Sequence, residues 1–266
     1  MLELQGVKKT FNPGTPDAKC ALDGVTLRLA EGDFACLIGS NGAGKSTLLA
    51  AVSGEFFPDE GRVFIDGEDV TFTPDYRRSR VIGRLFQDPM RGTAPHMTIE
   101  ENLSLAYMRA SGRRPLLGMT GRAERAMFRE KLAQLGLGLE ERMRQPVGLL
   151  SGGQRQALTL LMATLTKPKL LLLDEHTAAL DPATADKVMD LTKRIAAEGR
   201  ITCLMVTHNI EDALKTGSRT LMMDAGRIVL DIAGDERRAM TVEKLVERFK
   251  QSAGEALTDD RMLLAK

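Results

Sequence analysis

A chain of 266 residues, 43% hydrophobic and 27% charged, is long enough to bury a core, as one large domain or two smaller lobes. Its 37 Lys and Arg offset 36 Asp and Glu to a net charge of +1, which argues against nucleic-acid binding or membrane adhesion through bulk charge. No apolar run approaches the ~20 residues of a spanning helix, and MLELQGVKKTF carries Glu3 and Gln5 where a signal peptide needs an apolar centre, so the chain is expected to be neither exported nor embedded by itself.

The N-terminal part reads as strands: LEL, then VTLRL with Val25, Leu27 and Leu29 alternating, an EGD turn, FACLIG, and GRVFIDG from Gly61 to Gly67. From Thr98 to Thr166 helical spacing replaces them, interrupted by the basic, glycine-containing loop Ser111–Arg122. KLLLLDE and ITCLMVTH are near-continuous apolar runs separated by the helical ATADKVMDLTKRIAAEG, the pattern of a parallel βαβ unit. RTLMMDAGRIVLDI predicts a hairpin turning at Asp224–Gly226, and TVEKLVERFKQ a helix with Val242, Leu245, Val246 and Phe249 on one packed face. The three cysteines, Cys20, Cys36 and Cys203, are too scattered for a zinc site or a disulfide framework. Cys36 and Cys203 read as small hydrophobes in buried strands, and the cytosol as the compartment.

GSNGAGKS fits GxxxxGK[ST] between an apolar strand and a helix, which is the context a phosphate loop requires. Glycines let the backbone of Gly39, Ser40, Asn41, Gly42, Ala43 and Gly44 curl around an anion, and the helix that follows turns its positive end toward the phosphates. Lys45 is placed to reach the β- and γ-phosphate oxygens, Ser46 to bind Mg²⁺, and Thr47 to face the α-phosphate. KLLLLDE ends in two carboxylates: Asp174 is the metal-side candidate, and Glu175, alternating to the other direction, is the candidate general base.

LLSGGQRQ, upstream of Asp174, resembles the signature of the ABC ATPases. There Ser151, Gly152 and Gly153, with Gln154, open a helix whose hydroxyl, unhindered N–H groups and dipole all favour a phosphate. The resemblance extends in order to other positions. Gln87 matches the glutamine that senses Mg²⁺ and the attacking water; AALD, ending at Asp181, matches the loop crossing the dimer interface; His208 matches the histidine contacting the γ-phosphate. Phe11 is the candidate for the aromatic that stacks on adenine. Three positions depart from the family pattern: His176 stands where proline usually follows the two acids, Ala178 where serine often begins the loop, and ALTLLMATL replaces an arginine-containing helix.

The resemblance implies an α/β phosphate-loop NTPase core with a mainly parallel sheet, an antiparallel N-terminal β subdomain and an inserted helical subdomain. The expected boundaries are 1–253 for the ATPase domain, with about 88–166 as the helical subdomain, and 254–266 for a tail. It further implies an ATPase using ATP and Mg²⁺, two copies joined head to tail, and a permease partner at the cytoplasmic face of the membrane, fed indirectly by an extracytoplasmic binding protein. No nucleic-acid partner is expected. QDPMRGTAPHMTIEENLSLA and DEHTAALDP resemble bacterial uptake-system ATPases, some linked to aromatic amino acids. The alternative is a soluble ABC ATPase of the iron–sulfur assembly type, acting on a cytosolic scaffold. A DNA-repair relative would carry long heptads between Gln87 and Ser151, and the segment has none.

Overall fold

The computed structural model describes residues 1–112 and 121–253; most of the loop expected at Ser111–Arg122, and the tail 254–266, lie outside the described residues. The chain forms two compact units, Met1–Arg78 with the chain from Thr202 onward, and Ser79–Ile201. The first opens with β1 (Leu2–Phe11), β2 (Lys19–Leu29), β3 (Phe34–Gly39), α1 (Lys45–Ser53), β4 (Glu60–Ile65), β5 (Glu68–Asp69) and α2 (Asp75–Arg78). The second contains β6 (Ile82–Leu85), α3 (Ile99–Ser111), α4 (Arg122–Ala133), α5 (Gly152–Thr164), β7 (Leu170–Asp174) and α6 (Pro182–Gly199). The chain then returns to the first unit with β8 (Thr202–Val206), α7 (Ile210–Thr216), β9 (Arg219–Asp224), β10 (Arg227–Ala233), α8 (Gly234–Arg238) and α9 (Val242–Ala253).

The first unit has an antiparallel sheet in the order β2-β1-β4-β5 and mainly parallel strands in the order β10-β9-β3-β8, where only β10 runs antiparallel to its neighbour. The α/β organisation expected from the sequence is thus what the chain forms. β1 is longer than LEL because a bulge breaks its alternation: the register shifts between Leu4 and Val7, where Gly6 takes φ +58°, so Leu2, Leu4 and Val7 are all buried despite the uneven spacing. Cys36 and Cys203 are buried on the neighbouring strands β3 and β8, and burial pushes the Cys203 thiol up. α9 packs against β10 and α7 through buried Leu245 and Phe249, with Val242 and Val246 half-buried.

In the second unit β6 and β7 pair in parallel. The helices from Ile99 onward close their own core around Ile99, Leu103, Phe128, Leu132, Leu150 and Leu158. α3 starts where the sequence supplies a reciprocal cap: the Thr98 hydroxyl accepts from the Glu101 N–H at 3.2 Å, and the Glu101 carboxylate accepts from the Thr98 N–H at 2.7 Å. β6 ends at Leu85, so Gln87 lies two residues past the strand. No described helix is long and apolar enough to cross a membrane.

Candidate functional site

In the first unit the chain leaves β3 at Gly39, turns through Ser40–Gly44, and enters α1 at Lys45. Gly44 sits at the helix cap with φ 102°; a Cβ there would stand 2.4 Å from the Ala21 carbonyl oxygen and 2.9 Å from Cε of Met223. Both the backbone conformation and the space therefore demand glycine. The Gly226 N–H donates to the Ala43 carbonyl at 3.0 Å, which ties the loop to the turn between β9 and β10. Lys45 is 7% exposed, and its amine curls back to donate to the carbonyls of Gly39 at 2.8 Å and Ser40 at 2.9 Å. Asn41, Gly42 and Ser46 are exposed, and Thr47 is half-buried.

The same unit carries Phe11 and His208. Phe11 is 38% exposed at the end of β1 and meets Phe56 edge to face at 5.5 Å, with the Lys9 amine 5.8 Å over its ring. His208 is exposed two residues beyond β8, just before Asn209 caps α7 by accepting from the Asp212 N–H at 3.2 Å. A residue the sequence does not single out is Arg78, 1% exposed. Its guanidinium donates to the carbonyls of Ala51 and Val52, both at 2.9 Å near the end of α1, and to Thr73 at 2.7 Å and Thr71 at 3.0 Å. Burial pulls its pKa down to about 10. Arg78 anchors the rear of the helix whose front follows the glycine loop, and nothing in the basic run RRSR separates it from its neighbours.

The second unit carries the other candidates. Gln87 is exposed and precedes Asp88, whose carboxylate accepts from the Met90 N–H at 2.8 Å; the preceding Phe86 ring has Arg84 at 4.6 Å and Arg91 at 5.0 Å. At the start of α5 the Ser151 hydroxyl accepts from the Gln154 N–H at 3.3 Å, and the Gln154 side-chain oxygen accepts from the Ser151 N–H at 3.2 Å. Gly152 is exposed, and Gly153 is buried so closely that a Cβ would stand 2.2 Å from Cγ2 of Thr184 on α6. Asp181 caps α6 by accepting from the Thr184 N–H at 3.1 Å, and hydrogen bonds from the Thr184 side chain and then its N–H lower the Asp181 pKa.

β7 buries Leu170–Leu173 completely and ends at the half-buried Asp174. Glu175 then adopts φ +44°, so its direction is set by a left-handed turn and not by strand alternation as the sequence suggested. His176 follows at 2% exposure, with Nε2 3.2 Å from the Thr192 hydroxyl of α6; burial pushes its pKa down to about 4. The oxygen donors of Ser46, Gln87 and Asp174 are of the hard type that suits Mg²⁺.

The ABC transporter family model matches residues 22–178. The chain is 40% identical, over 94% of its own length and 99% of the relative's, to the tyrosine transport ATP-binding protein of Clostridioides difficile (strain R20291). It is 36% identical, over 79% of its length and 84% of the relative's, to the thiamine import ATP-binding protein of Salmonella paratyphi A (strain ATCC 9150 / SARB42). Among solved structures, the dimeric post-hydrolysis state of an ATP-binding cassette bound to ADP and Pi superposes with a TM-score of 0.75 at 31% identity, covering 88% of this chain and 98% of that one. A glycine loop shaped for phosphate, in a chain that aligns almost end to end with such proteins, leaves one assignment: this chain belongs to the ABC transporter family, as an ATP-binding subunit that hydrolyses ATP.

Proposed function

We propose that this ATPase drives a bacterial importer: two copies clamp two ATP molecules head to tail and push on a membrane permease from the cytoplasmic face, with an extracytoplasmic binding protein delivering the solute. The observation that carries this reading is the start of α5. It is a second glycine-bearing helix end, at Ser151–Gly153, with an exposed hydroxyl and an exposed Gly152, in a chain that already has a phosphate loop. A partner's γ-phosphate is the ligand such an end suits. The dimeric, ADP- and Pi-bound state of the structural relative supports the two-copy arrangement, and the import named for the thiamine relative supports the direction. The tyrosine named for the first relative supports an aromatic amino acid as the transported class, a molecule this subunit never touches. Residues 1–253 are the ATPase domain on this reading, with about 88–166 as its helical subdomain.

The chemistry is mostly positioning and charge stabilisation. Lys45 swings from the carbonyls of Gly39 and Ser40 to the β- and γ-phosphate oxygens, and the N–H groups of Gly42–Thr47 hold the phosphate chain. Phe11 stacks on the adenine. Glu175 orients and deprotonates the attacking water, His208 and Gln87 hold that water against the γ-phosphate, and Asp181 lies at the edge crossed by the partner. Mg²⁺, held by Ser46, Asp174 and Gln87, would neutralise charge developing on the phosphates when bound. Ser151, Gly152, Gly153 and Gln154 supply the second wall to the other copy's nucleotide.

Glu175→Gln is expected to retain ATP binding and lose turnover by about 100-fold or more, the scale of a general base; wild-type-like hydrolysis would remove Glu175 from that role. The same variant, tagged and purified with ATP from detergent-solubilised cells, tests the transporter. Recovery of a polytopic membrane protein supports import machinery. Recovery of soluble partners alone sinks it and promotes the cytosolic assembly ATPase.

A further inference from the structure

We propose that His176 is a positioning residue for Glu175, holding the turn after β7 to α6 through a single directed hydrogen bond to Thr192. The inference rests on the role of Glu175 as base. It begins with an accounting of protons. The Thr192 hydroxyl donates its only proton to the Val188 carbonyl at 2.8 Å, so toward His176 Nε2, 3.2 Å away, its oxygen can only accept. His176 therefore donates through Nε2–H, and its tautomer is set by α6. Both partners are buried, His176 at 2% and Thr192 at 0% exposure, so water cannot stand in for either.

The bond matters because of where it lies. Glu175 holds a left-handed backbone at φ +44°, a conformation that a non-glycine residue keeps only when its surroundings enforce it. On one side the completely buried run Leu170–Leu173 fixes the chain up to Asp174. On the other, the Ala178 N–H closes the turn onto the Glu175 carbonyl at 3.0 Å, and the imidazole of the very next residue is pinned to the third turn of α6. α6 is itself held at its start by the Asp181 cap and by the Thr184 methyl lying against Gly153. At the position after Glu175 a proline would rigidify the chain through its ring. Histidine has no such ring constraint, and the bond to Thr192 supplies the rigidity by another route.

The test is the ATPase kinetics of the purified chain. His176→Ala is expected to lower kcat about 10- to 100-fold, the scale of a small misplacement of a catalytic group, while KM for ATP stays within about twofold. His176→Gln carries an amide N–H at the place of imidazole Nε2 and is expected to recover most of the rate. Thr192→Val keeps the side-chain shape, removes the acceptor, and is expected to lower kcat alike; combined with His176→Ala it should cost nothing further, because both changes cut one bond. Should His176→Ala fail to fold, Thr192→Val decides. Unchanged kcat in His176→Ala or in Thr192→Val overturns the proposal, and so does a loss that glutamine does not restore. Glu175→Gln measured alongside separates the two ideas: a wild-type rate there removes the base itself, whereas an inactive Glu175→Gln beside an unimpaired His176→Ala removes only the positioning role.

Discussion

The helices α1 and α5 both begin in glycine-rich turns that suit phosphate, yet their ends are built differently. α1 begins at Gly44, which has no side chain to cap it, and no acidic residue lies in its first turn. Its first four N–H groups have no partner within the helix, and the charge nearest at hand, Lys45, is folded onto the loop's own carbonyls. α5 begins at Ser151 and is closed by a reciprocal pair of hydrogen bonds with Gln154. One end is shaped so that an anion completes it. The other is partly closed in the single chain, its cap taking the Ser151 and Gln154 N–H groups, and an incoming phosphate has to share that end with the cap. In the proposed cycle this difference puts nucleotide binding in each copy first and engagement of the partner's signature second.

Four substitutions break or sharpen this contrast. Lys45→Ala strikes the open end, and loss of its charge-assisted contacts is expected to weaken ATP binding about 100-fold or more. Thermal unfolding with and without ATP reads this directly, since the variant should show a much smaller ATP-dependent rise in Tm at the same ATP concentration. Gly153→Ala strikes the closed end by packing: the added methyl meets Thr184, and overpacking of this kind costs about 1–3 kcal/mol in chemical denaturation. Thr184→Ser removes the methyl in the way and should restore stability in the double variant; a double variant as unstable as Gly153→Ala would mean that the space itself is not the constraint. Ser151→Ala is the mildest. It removes the cap at about 1 kcal/mol of stability, leaves ATP affinity of the single chain unchanged, and lowers hydrolysis in the proposed two-copy cycle. An equal fall in single-chain ATP affinity would contradict the division of labour between the two ends.

The two glycine-bearing helix starts were legible because each is a short motif whose spacing is local: a strand, a tight turn and a helix suffice for GSNGAGKS, and a serine, two glycines and a glutamine for the α5 cap, whereas Phe11, Gln87 and His208 became candidates only through the family resemblance. The boundaries were less legible. β1 runs to Phe11 through QGVKKTF, which looks unlike a strand because a bulge at Gly6 shifts the register and hides the alternation. β5, α2, α7 and α8 are two to seven residues long, too short for any periodicity to show.

What the sequence alone determined is local: the glycine turn between β3 and α1, the family that the short motifs resemble, and the packed face of the last helix. Burial of single polar side chains was decided only by tertiary structure. Arg78 reads as one of several arginines until the fold brings the carbonyls of Ala51, Val52, Thr71 and Thr73 around it. His176 reads as a missing proline until α6 places Thr192 against it. Glu175 reads as the next position of a strand until the turn rotates it to φ +44°. The physical reason is common to all three. A buried polar group is set by partners distant in the chain, and hydrogen bonds between remote segments leave no period in the sequence.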